Sequence, residues 1–174
     1  MLCGETPMKI PPGVFSDALF SPCRRYRYWL TRTWDLSRPT IVVIGLNPSK
    51  ADLERDDNTV RKCQVFARNL EYGRLLMLNL YAYVATDPDD MWRAHKTGID
   101  ITGGVANTFP ALQTYREAFH VDCTVAAWGK AGARSDDAGR QLVNMLCFGT
   151  NKDGTPKHPG RISYSEKLRP WNFQ

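Results

Sequence analysis

Two asparagines and one histidine stand where side chains could act on a bound ligand. Asn47 lies in a Gly-x-Asn-Pro-Ser turn directly after an apolar run, Asn79 closes a second apolar run, and His158 lies in a basic, turn-rich segment at 151–161. An amide can orient a water molecule or pair with the polar edge of a ligand, and an imidazole can donate a hydrogen bond near neutral pH. These residue types predict a polar ligand site.

Both asparagines are expected at the ends of buried strands. Residues 41–44 are four consecutive β-branched residues, which suit a strand covered on both faces. Gly45 and Pro48 cannot continue that strand, and residues 74–83 form a second apolar strand. Because open α/β sheets bind ligands at the carboxyl ends of their strands, Asn47 is expected to face a ligand.

The remaining elements are predicted from apolar spacing and from capping and turn residues. Further strands are predicted near 26–34, 121–129 and 145–149, and helices at 59–70, after 86–90, at 105–120 and at 135–144. The turn after 26–34 predicts an antiparallel hairpin with the strand at 41–44. Together these elements predict an α/β fold, a three-layer α/β/α sandwich around a central, mostly parallel four-stranded sheet with an antiparallel edge strand.

The chain length fits one compact domain. Residues 1–22 contain four prolines and predict an irregular N-terminal lead-in, so the single α/β domain is assigned to residues 23–174. No apolar run approaches the length of a membrane span, and no membrane partner is expected.

The charge balance fits a partner that carries phosphates. The chain has 23 Lys and Arg against 18 Asp and Glu, a net charge of +5 and a pI near 9.0. A mildly basic surface on a cytosolic protein explains the same totals. Both interpretations stay open for Arg24, Arg25 and Arg27, which are either phosphate contacts or solvated strand charges.

The cysteines argue against a metal centre. All five are scattered, and no C-x-x-C pair is present, so neither a metal nor another cofactor is expected. Their odd number, together with the lack of an apolar leader in residues 1–12, predicts reduced thiols and a cytoplasmic location.

The polar segment at 50–59 is predicted to overhang the strand ends as a site loop. Asp56, Asp57 and Thr59 within it have two open explanations. They could contact substrate, or they could cap the following helix and compensate its dipole without any ligand. An aspartate that reaches the site would also supply a carboxylate, which Asn47 lacks.

Three strand-end signatures stand in chain order: Gly45-Leu46-Asn47-Pro48, then Leu76-Met77-Leu78-Asn79, then His158-Pro159, with Trp128-Gly129-Lys130 between the last two. This arrangement resembles the uracil-DNA glycosylase superfamily over residues 40–165. The resemblance implies a glycosylase-like fold in which Asn47 orients the attacking water, Asn79 reads the edge of a flipped base and His158 polarises that base. It also implies that the turn at 128–130 faces phosphate.

A closer resemblance covers longer strings. Asn47-Pro48-Ser49, Asp56-Asp57-x-Thr59-Val60-Arg61-Lys62-Cys63, Asn79-Leu80-x-Ala82-Tyr83 and Gly154-x-Pro156-x-His158-Pro159 resemble the family catalogued as domain of unknown function 1643. That family supplies no activity, so the chemistry rests on the glycosylase resemblance. Gly160-Arg161-Ile162 replaces the family's bulkier apolar residues after His-Pro, which argues against a wedge inserted into DNA.

The sequence therefore predicts a DNA-base-processing enzyme that resembles a monofunctional uracil-DNA glycosylase and hydrolyses the N-glycosidic bond of a flipped base, modified or not, without metal. The alternatives are a non-catalytic module that binds nucleic acid or a nucleotide, and a hydrolase of small nucleosides or nucleotides. The expected partner is nucleic acid, DNA above all. Catalysis is assigned to Asn47 and His158, substrate binding to Gly45, Leu46, Pro48, Ser49, Asp56, Asp57, Thr59, Asn79 and Tyr81, and phosphate or DNA contact to Lys50, Gly129, Lys130, Lys157 and Arg161.

Overall fold

An open sheet of seven strands forms the centre of the protein. The computed structural model describes residues 8–104, 115–134 and 144–171. The strands are β1 (Met8–Lys9), β2 (Phe15–Phe20), β3 (Arg27–Thr33), β4 (Thr40–Gly45), β5 (Arg55–Asp56), β6 (Arg74–Asn79), β7 (Val121–Ala126), β8 (Met145–Cys147) and β9 (Arg169–Trp171). The α-helices are α1 (Asn58–Asn69) and α2 (Pro88–Lys96), and short 3-10 helices lie at Lys130–Arg134 and Pro159–Arg161.

The sheet mixes parallel and antiparallel pairs in the order β2-β3-β6-β4-β7-β8-β9, and β1 pairs with β5 in a separate ribbon. The neighbours β6, β4, β7 and β8 run parallel to one another. The outer strands β2, β3 and β9 are antiparallel to their neighbours. The parallel strands bring the carboxyl ends of β4, β6 and β7 to one edge, where a ligand crevice can form.

β4 lies at the centre and is buried along its whole length, which explains its β-branched composition. On one face of the sheet, Ile41 and Val43 share an apolar cluster with Phe66 of α1. On the other face, Val42 shares a cluster with Met91 of α2. The two helices therefore cover opposite faces of the central strands.

The predicted three-layer α/β/α sandwich around a four-stranded sheet is wrong. The sheet has seven strands, and the described residues contain two α-helices longer than one turn, of 12 and 9 residues, together with a helical turn at 115–118. The fold is thus mostly sheet. Two strands of this sheet have no counterpart in the prediction: β2, which alternates exposed and half-buried residues and contains Ser and Asp, and β9, which is Arg-Pro-Trp. Neither has the apolar run that marks a buried strand.

The N-terminal half of the sheet is also arranged differently from the prediction. The irregular lead-in expected at 1–22 contains β2, which pairs with β3. The predicted hairpin of β3 with β4 is absent because β6 lies between them: Met77 is opposite Leu30 of β3 and opposite Val43 of β4. The turn signal after β3 shows that the chain reverses, but it does not determine which strand becomes the neighbour.

Several single elements agree with the sequence prediction. The helix predicted at 59–70 is α1, the helix predicted after 86–90 is α2, and the strands predicted near 121–129 and 145–149 are β7 and β8. The helix predicted at 135–144 lies, except for its last residue, outside the described residues, and the one at 105–120 is described only from 115 onwards. Within the described ranges, no helix is long and apolar enough to cross a membrane.

A buried ion pair fastens the segment before α1 to the sheet. Arg32 of β3 is 0% exposed, and its Nε donates to Oδ1 of Asp56 at 2.9 Å. Gln64 of α1 donates to the other oxygen of Asp56 at 2.6 Å. The remaining acceptors of the Arg32 guanidinium are Ser16 Oγ and the carbonyl oxygens of Thr31, Asp52 and Arg55. The network is well satisfied and joins β2, β3, β5 and α1.

Candidate functional site

A pocket of about 700 Å³ opens at the carboxyl ends of β4, β6 and β7. It collects most of the residues that the sequence assigns to a site. These are Gly45, Leu46, Asn47, Ser49, Asp57, Thr59, Asn79, Gly129, Lys130, Lys157, His158 and Arg161. The three strand-end signatures therefore converge, because the parallel strands end at the same edge and the 151–161 loop closes over them.

Four residues assigned to the site do not line the pocket. Asp56 is buried in the ion pair with Arg32, and Lys50 is exposed on the surface. Tyr81 packs its ring edge against Trp92, with ring centroids 5.2 Å apart. Pro48 is buried and contributes its carbonyl oxygen to the turn instead of a pocket surface.

The turn after β4 fixes the amide of Asn47. Its Nδ2 donates to the carbonyl oxygens of Ala85 at 2.7 Å and of Pro48 at 3.0 Å. The backbone N–H of Ala85 donates back to Pro48 at 2.9 Å, which joins the turn to the segment after β6. Since Nδ2 is committed to two carbonyls, Oδ1 is the atom that Asn47 offers to the pocket, and it can only accept a hydrogen bond.

Asn79 lies directly beside this turn and is 4% exposed. In the amide orientation that satisfies its neighbours, Nδ2 donates to the carbonyl oxygens of Asn47 at 3.3 Å and of Leu78 at 3.2 Å. A Cβ on Gly45 would lie 2.9 Å from the end of this amide. A side chain at position 45 would therefore force the amide of Asn79 to shift.

His158 is held as a neutral hydrogen-bond donor. The backbone N–H of Gly160 donates to its Nδ1 at 3.1 Å, which assigns the ring proton of the neutral form to Nε2. Burial lowers the pKa of His158 below its ordinary value of 6.5, Asp57 opposes this shift, and Arg161 and Lys62 add to it. At neutral pH the ring thus presents an uncharged Nε2–H.

Acidification should destabilise the protein partly through His158. Because its pKa is lower in the folded than in the unfolded chain, the unfolded chain binds the proton first as the pH falls below 6.5. Stability is therefore expected to fall from about pH 7.5 to about pH 5.5, and to fall less in a His158→Gln variant. Urea unfolding of both proteins at the two pH values measures this, with the other two histidines present in each. Equal losses in the two proteins would contradict the lowered pKa.

Gly129 lies against the Cβ and the backbone of His158. Its φ is +70°, and a Cβ on it would lie 3.0 Å from the Cβ of His158. Gly129→Ala is expected to lower the free energy of unfolding by about 1–2 kcal/mol for the left-handed backbone and to displace His158 in addition. Gly98→Ala is the matched control, because Gly98 has a φ of +86° with nothing within 4 Å of an added Cβ. Both variants should lose similar stability in urea, and Gly129→Ala alone should weaken ligand binding; equal binding by both would remove this role for Gly129.

Asp57 brings a carboxylate to the pocket. It is the N-cap of α1, and its Oδ1 accepts from the backbone N–H of Val60 at 2.9 Å. Its side chain lines the pocket and is close enough to affect the charge of His158. The structure shows Asp57 as the helix cap, and the same residue also lines the pocket.

Lys62 ties the His158 loop to α1. Its Nζ donates to the carbonyl oxygens of Ile162 and Gly160, and it lies 5.1 Å from the ring centroid of Tyr164. The helix that Asp57 caps therefore also contacts the segment that follows His158.

The pocket contains a cation that the sequence does not single out. Arg27 lines it, although the sequence leaves this residue as one of three strand arginines with two open interpretations. It is 2% exposed, and its Nη1 donates to the carbonyl oxygen of Ala51, in the segment after Asn47, at 2.9 Å. No local pattern identifies such a burial, since Ala51 is 24 positions away.

Comparison with known proteins identifies the family. The model of the family described as protein of unknown function (DUF1643) matches residues 27–160, from the start of β3 to the His158 loop. This confirms the family resemblance of the sequence strings. Neither the curated proteins nor the solved structures give a significant match. With the match covering well over half its length, the chain belongs to the DUF1643 family.

Proposed function

We propose that the pocket hydrolyses the N-glycosidic bond of a nucleotide flipped out of DNA. The observation that carries the proposal is the meeting of three groups in one pocket: the amide oxygen of Asn47, the carboxylate of Asp57 and the neutral imidazole of His158. The proposal rests on the chemistry of these three groups and takes no support from the fold. The likeness of the motifs to uracil-DNA glycosylases is part of the same proposal.

In the proposed reaction, a water oxygen attacks C1′ of the sugar while the bond from C1′ to the base nitrogen breaks and its electron pair leaves with the base. Asn47 Oδ1 accepts a hydrogen bond from the water, and Asp57 takes the proton that the water loses. His158 Nε2–H donates to an oxygen of the departing base, which gains negative charge. The proton finally reaches the base, so the products are an abasic sugar and the free base.

The rest of the pocket has binding roles in this proposal. Asn79, directly beside Asn47, pairs with the edge of the base. Three basic side chains near the mouth contact the DNA backbone and make binding dependent on salt: Lys130, Lys157 and Arg161. The net charge of +5 favours the same partner.

A non-catalytic module that binds a nucleotide is the second candidate. It is favoured by the hydrogen bond from Val60 to Asp57 Oδ1, which occupies one of the two carboxylate oxygens with helix capping. The oxygen that caps the helix already accepts a hydrogen bond, so one carboxylate oxygen is left to take a proton from water. In this case the pocket would hold a nucleotide without breaking it.

A base-release assay separates the candidates. The protein is incubated with single- and double-stranded oligonucleotides that carry uracil, hypoxanthine, 5-hydroxymethyluracil or bulkier pyrimidines, and heating in alkali then cleaves any abasic sites. Strand breaks at the position of one base support the proposed hydrolysis. Salt-sensitive binding without breaks on any substrate leaves the non-catalytic module. Release of base from free nucleotides without affinity for DNA would identify a small-molecule hydrolase.

The His158→Gln protein, prepared in parallel, is the control in this assay. Glycosylases carried over from the expression host would act in both preparations, whereas activity of this pocket should drop with the variant. Breaks of equal yield in the two preparations would reject the proposed role of the pocket.

We also assign the proposed enzyme to the cytoplasm. The described cysteines are free: Cys23 is exposed, and Cys63, Cys123 and Cys147 are buried. Free thiols suit a reducing compartment. Access to DNA in that compartment fits the proposed substrate.

A further inference from the structure

A buried cation in the pocket has an unused donor. Arg27 begins β3 and is 2% exposed, yet it lines the pocket. Its Nη1 donates to the carbonyl of Ala51 at 2.9 Å. Its Nε is buried and has no hydrogen-bond partner among the residues that the structure describes. Buried donors are seldom left without an acceptor, so an unused one at a pocket indicates that a ligand supplies the acceptor.

Among the described residues, the charge of Arg27 also lacks a direct counterion. In the described part of the chain, no carboxylate forms an ion pair with it. Burial lowers the pKa of Arg27 to about 10, with Asp57 and Asp52 opposing from a distance, so the group stays cationic at neutral pH. Arg32 on the same strand is equally buried but is paired with Asp56. The described part of the fold therefore supplies a carboxylate to one buried arginine, Arg32, and not to Arg27.

The surroundings of Arg27 favour a negatively charged ligand. Asn58 and Thr59, in the first turn of the 12-residue helix α1, line the same pocket, and the dipole of this helix adds positive potential there. Among the lining residues that the structure describes, Asp57 is the single acidic side chain. The basic ones are Arg27, Lys130, Lys157 and Arg161.

We propose that Arg27 forms an anion subsite inside the pocket and binds an oxyanion that accepts hydrogen bonds from its guanidinium. Phosphate and carboxylate share this chemistry, because each places two oxygens at the spacing of the guanidinium nitrogens. In a nucleotide-like ligand the oxyanion is either the 5′-phosphate or a carboxylate carried by the base. The subsite concerns binding, so it holds whether or not the pocket breaks a glycosidic bond.

Calorimetric titration at one fixed ionic strength tests the subsite. The ligands are deoxyuridine, deoxyuridine 5′-monophosphate and 5-carboxydeoxyuridine, which differ in whether and where they carry an oxyanion. One of the two anionic ligands is expected to bind the wild-type protein roughly 10- to 100-fold more tightly than deoxyuridine. The ligand with the advantage identifies the source of the oxyanion. Equal binding of all three, or no binding of any, overturns the proposal.

The variants Arg27→Met and Arg27→Lys show whether Arg27 causes the advantage. Arg27→Met should remove it, and Arg27→Lys should keep a small part, since lysine retains the charge without the planar fork. Arg38→Met is the matched control, because Arg38 is 47% exposed and precedes β4 at the opposite edge of the sheet. The proposal is overturned if the Arg27 variants still bind the anionic ligand as much more tightly than deoxyuridine as the wild type does. It is also overturned if Arg38→Met loses as much of this difference in affinity as the Arg27 variants do.

A thermal measurement separates binding from folding. Methionine removes an uncompensated charge and retains much of the stem, so the Tm of Arg27→Met should equal or exceed that of the wild type. Inorganic phosphate should raise the Tm of the wild type more than chloride of equal ionic strength does, and this difference between the two salts should be clearly smaller for Arg27→Met. A lower Tm in Arg27→Met, with an unchanged response to phosphate, would show a structural role only and would contradict the subsite.

Discussion

Replacing Asp56 with alanine is expected to lower the free energy of unfolding by about 3–5 kcal/mol. The change leaves Arg32, which is 0% exposed, without its carboxylate, and it also removes the acceptor of Gln64. Burial lowers the pKa of Arg32, and Asp56 is the first group that opposes this shift, so the pair compensates a large desolvation cost. Urea unfolding followed by circular dichroism measures the loss.

An exposed ion pair on the same protein is the control for Asp56. Asp35 and Arg38 are 3.2 Å apart, with side chains 37% and 47% exposed, so Asp35→Ala should cost less than about 1 kcal/mol. Similar losses from Asp56→Ala and Asp35→Ala would show that the buried pair is not a main source of stability. A much larger loss from Asp56→Ala would show that Asp56 stabilises the fold. Its neighbour Asp57 lines the pocket instead.

Replacing Asp57 with asparagine is expected to lower the rate of base release by about 10²- to 10⁴-fold, if the pocket carries out the proposed hydrolysis. Asparagine caps a helix about as well as aspartate, so the hydrogen bond to Val60 and the stability should be retained. What the variant loses is the group that takes the proton from water. Single-turnover rates on the oligonucleotide that is cleaved best measure the effect.

Asp87→Asn is the matched control for Asp57→Asn. Asp87 caps α2 in the same way, accepting from the backbone N–H of Asp89 at 2.9 Å, and does not line the pocket. Its replacement should change neither the rate nor the stability. A nearly unchanged rate in Asp57→Asn would exclude the carboxylate as the base and leave Asn47 as the group that orients the water.

The central strands can be predicted from the sequence because buried strands have a continuous apolar composition, which is a local property. β4 is a β-branched run and β6 an apolar run, and each is buried from both faces. The order of the strands is not a local property, so β6 between β3 and β4 could not be foreseen. β2 escapes prediction for another reason: it is an edge strand with polar and exposed residues, and its partner β3 rather than its own sequence specifies it.

Some residues of the candidate site could likewise be predicted from the sequence, and others could not. Asn47, Asn79 and His158 could be identified because they follow strands or stand in a distinctive turn, and the sheet brings such positions to one edge. Arg27 could not, because its environment includes Ala51, which is 24 positions away in the sequence. Asp56 and Asp57 are adjacent aspartates, but Asp56 is buried in the ion pair with Arg32 and Asp57 lines the pocket. This difference depends on the fold and is not visible in the local sequence.

The tether between Lys62 and the loop at Ile162 bears on the order of folding. It joins positions 100 residues apart. Closing so long a loop lowers the entropy of the chain before the contact can stabilise it. The paired strands β4 and β6 and the helix α1 between them are close in sequence and can associate earlier. We therefore expect the side of the pocket that contains His158 to form late in folding. A nascent chain that has not yet reached Ile162 is therefore expected to lack this contact between α1 and the segment that follows His158.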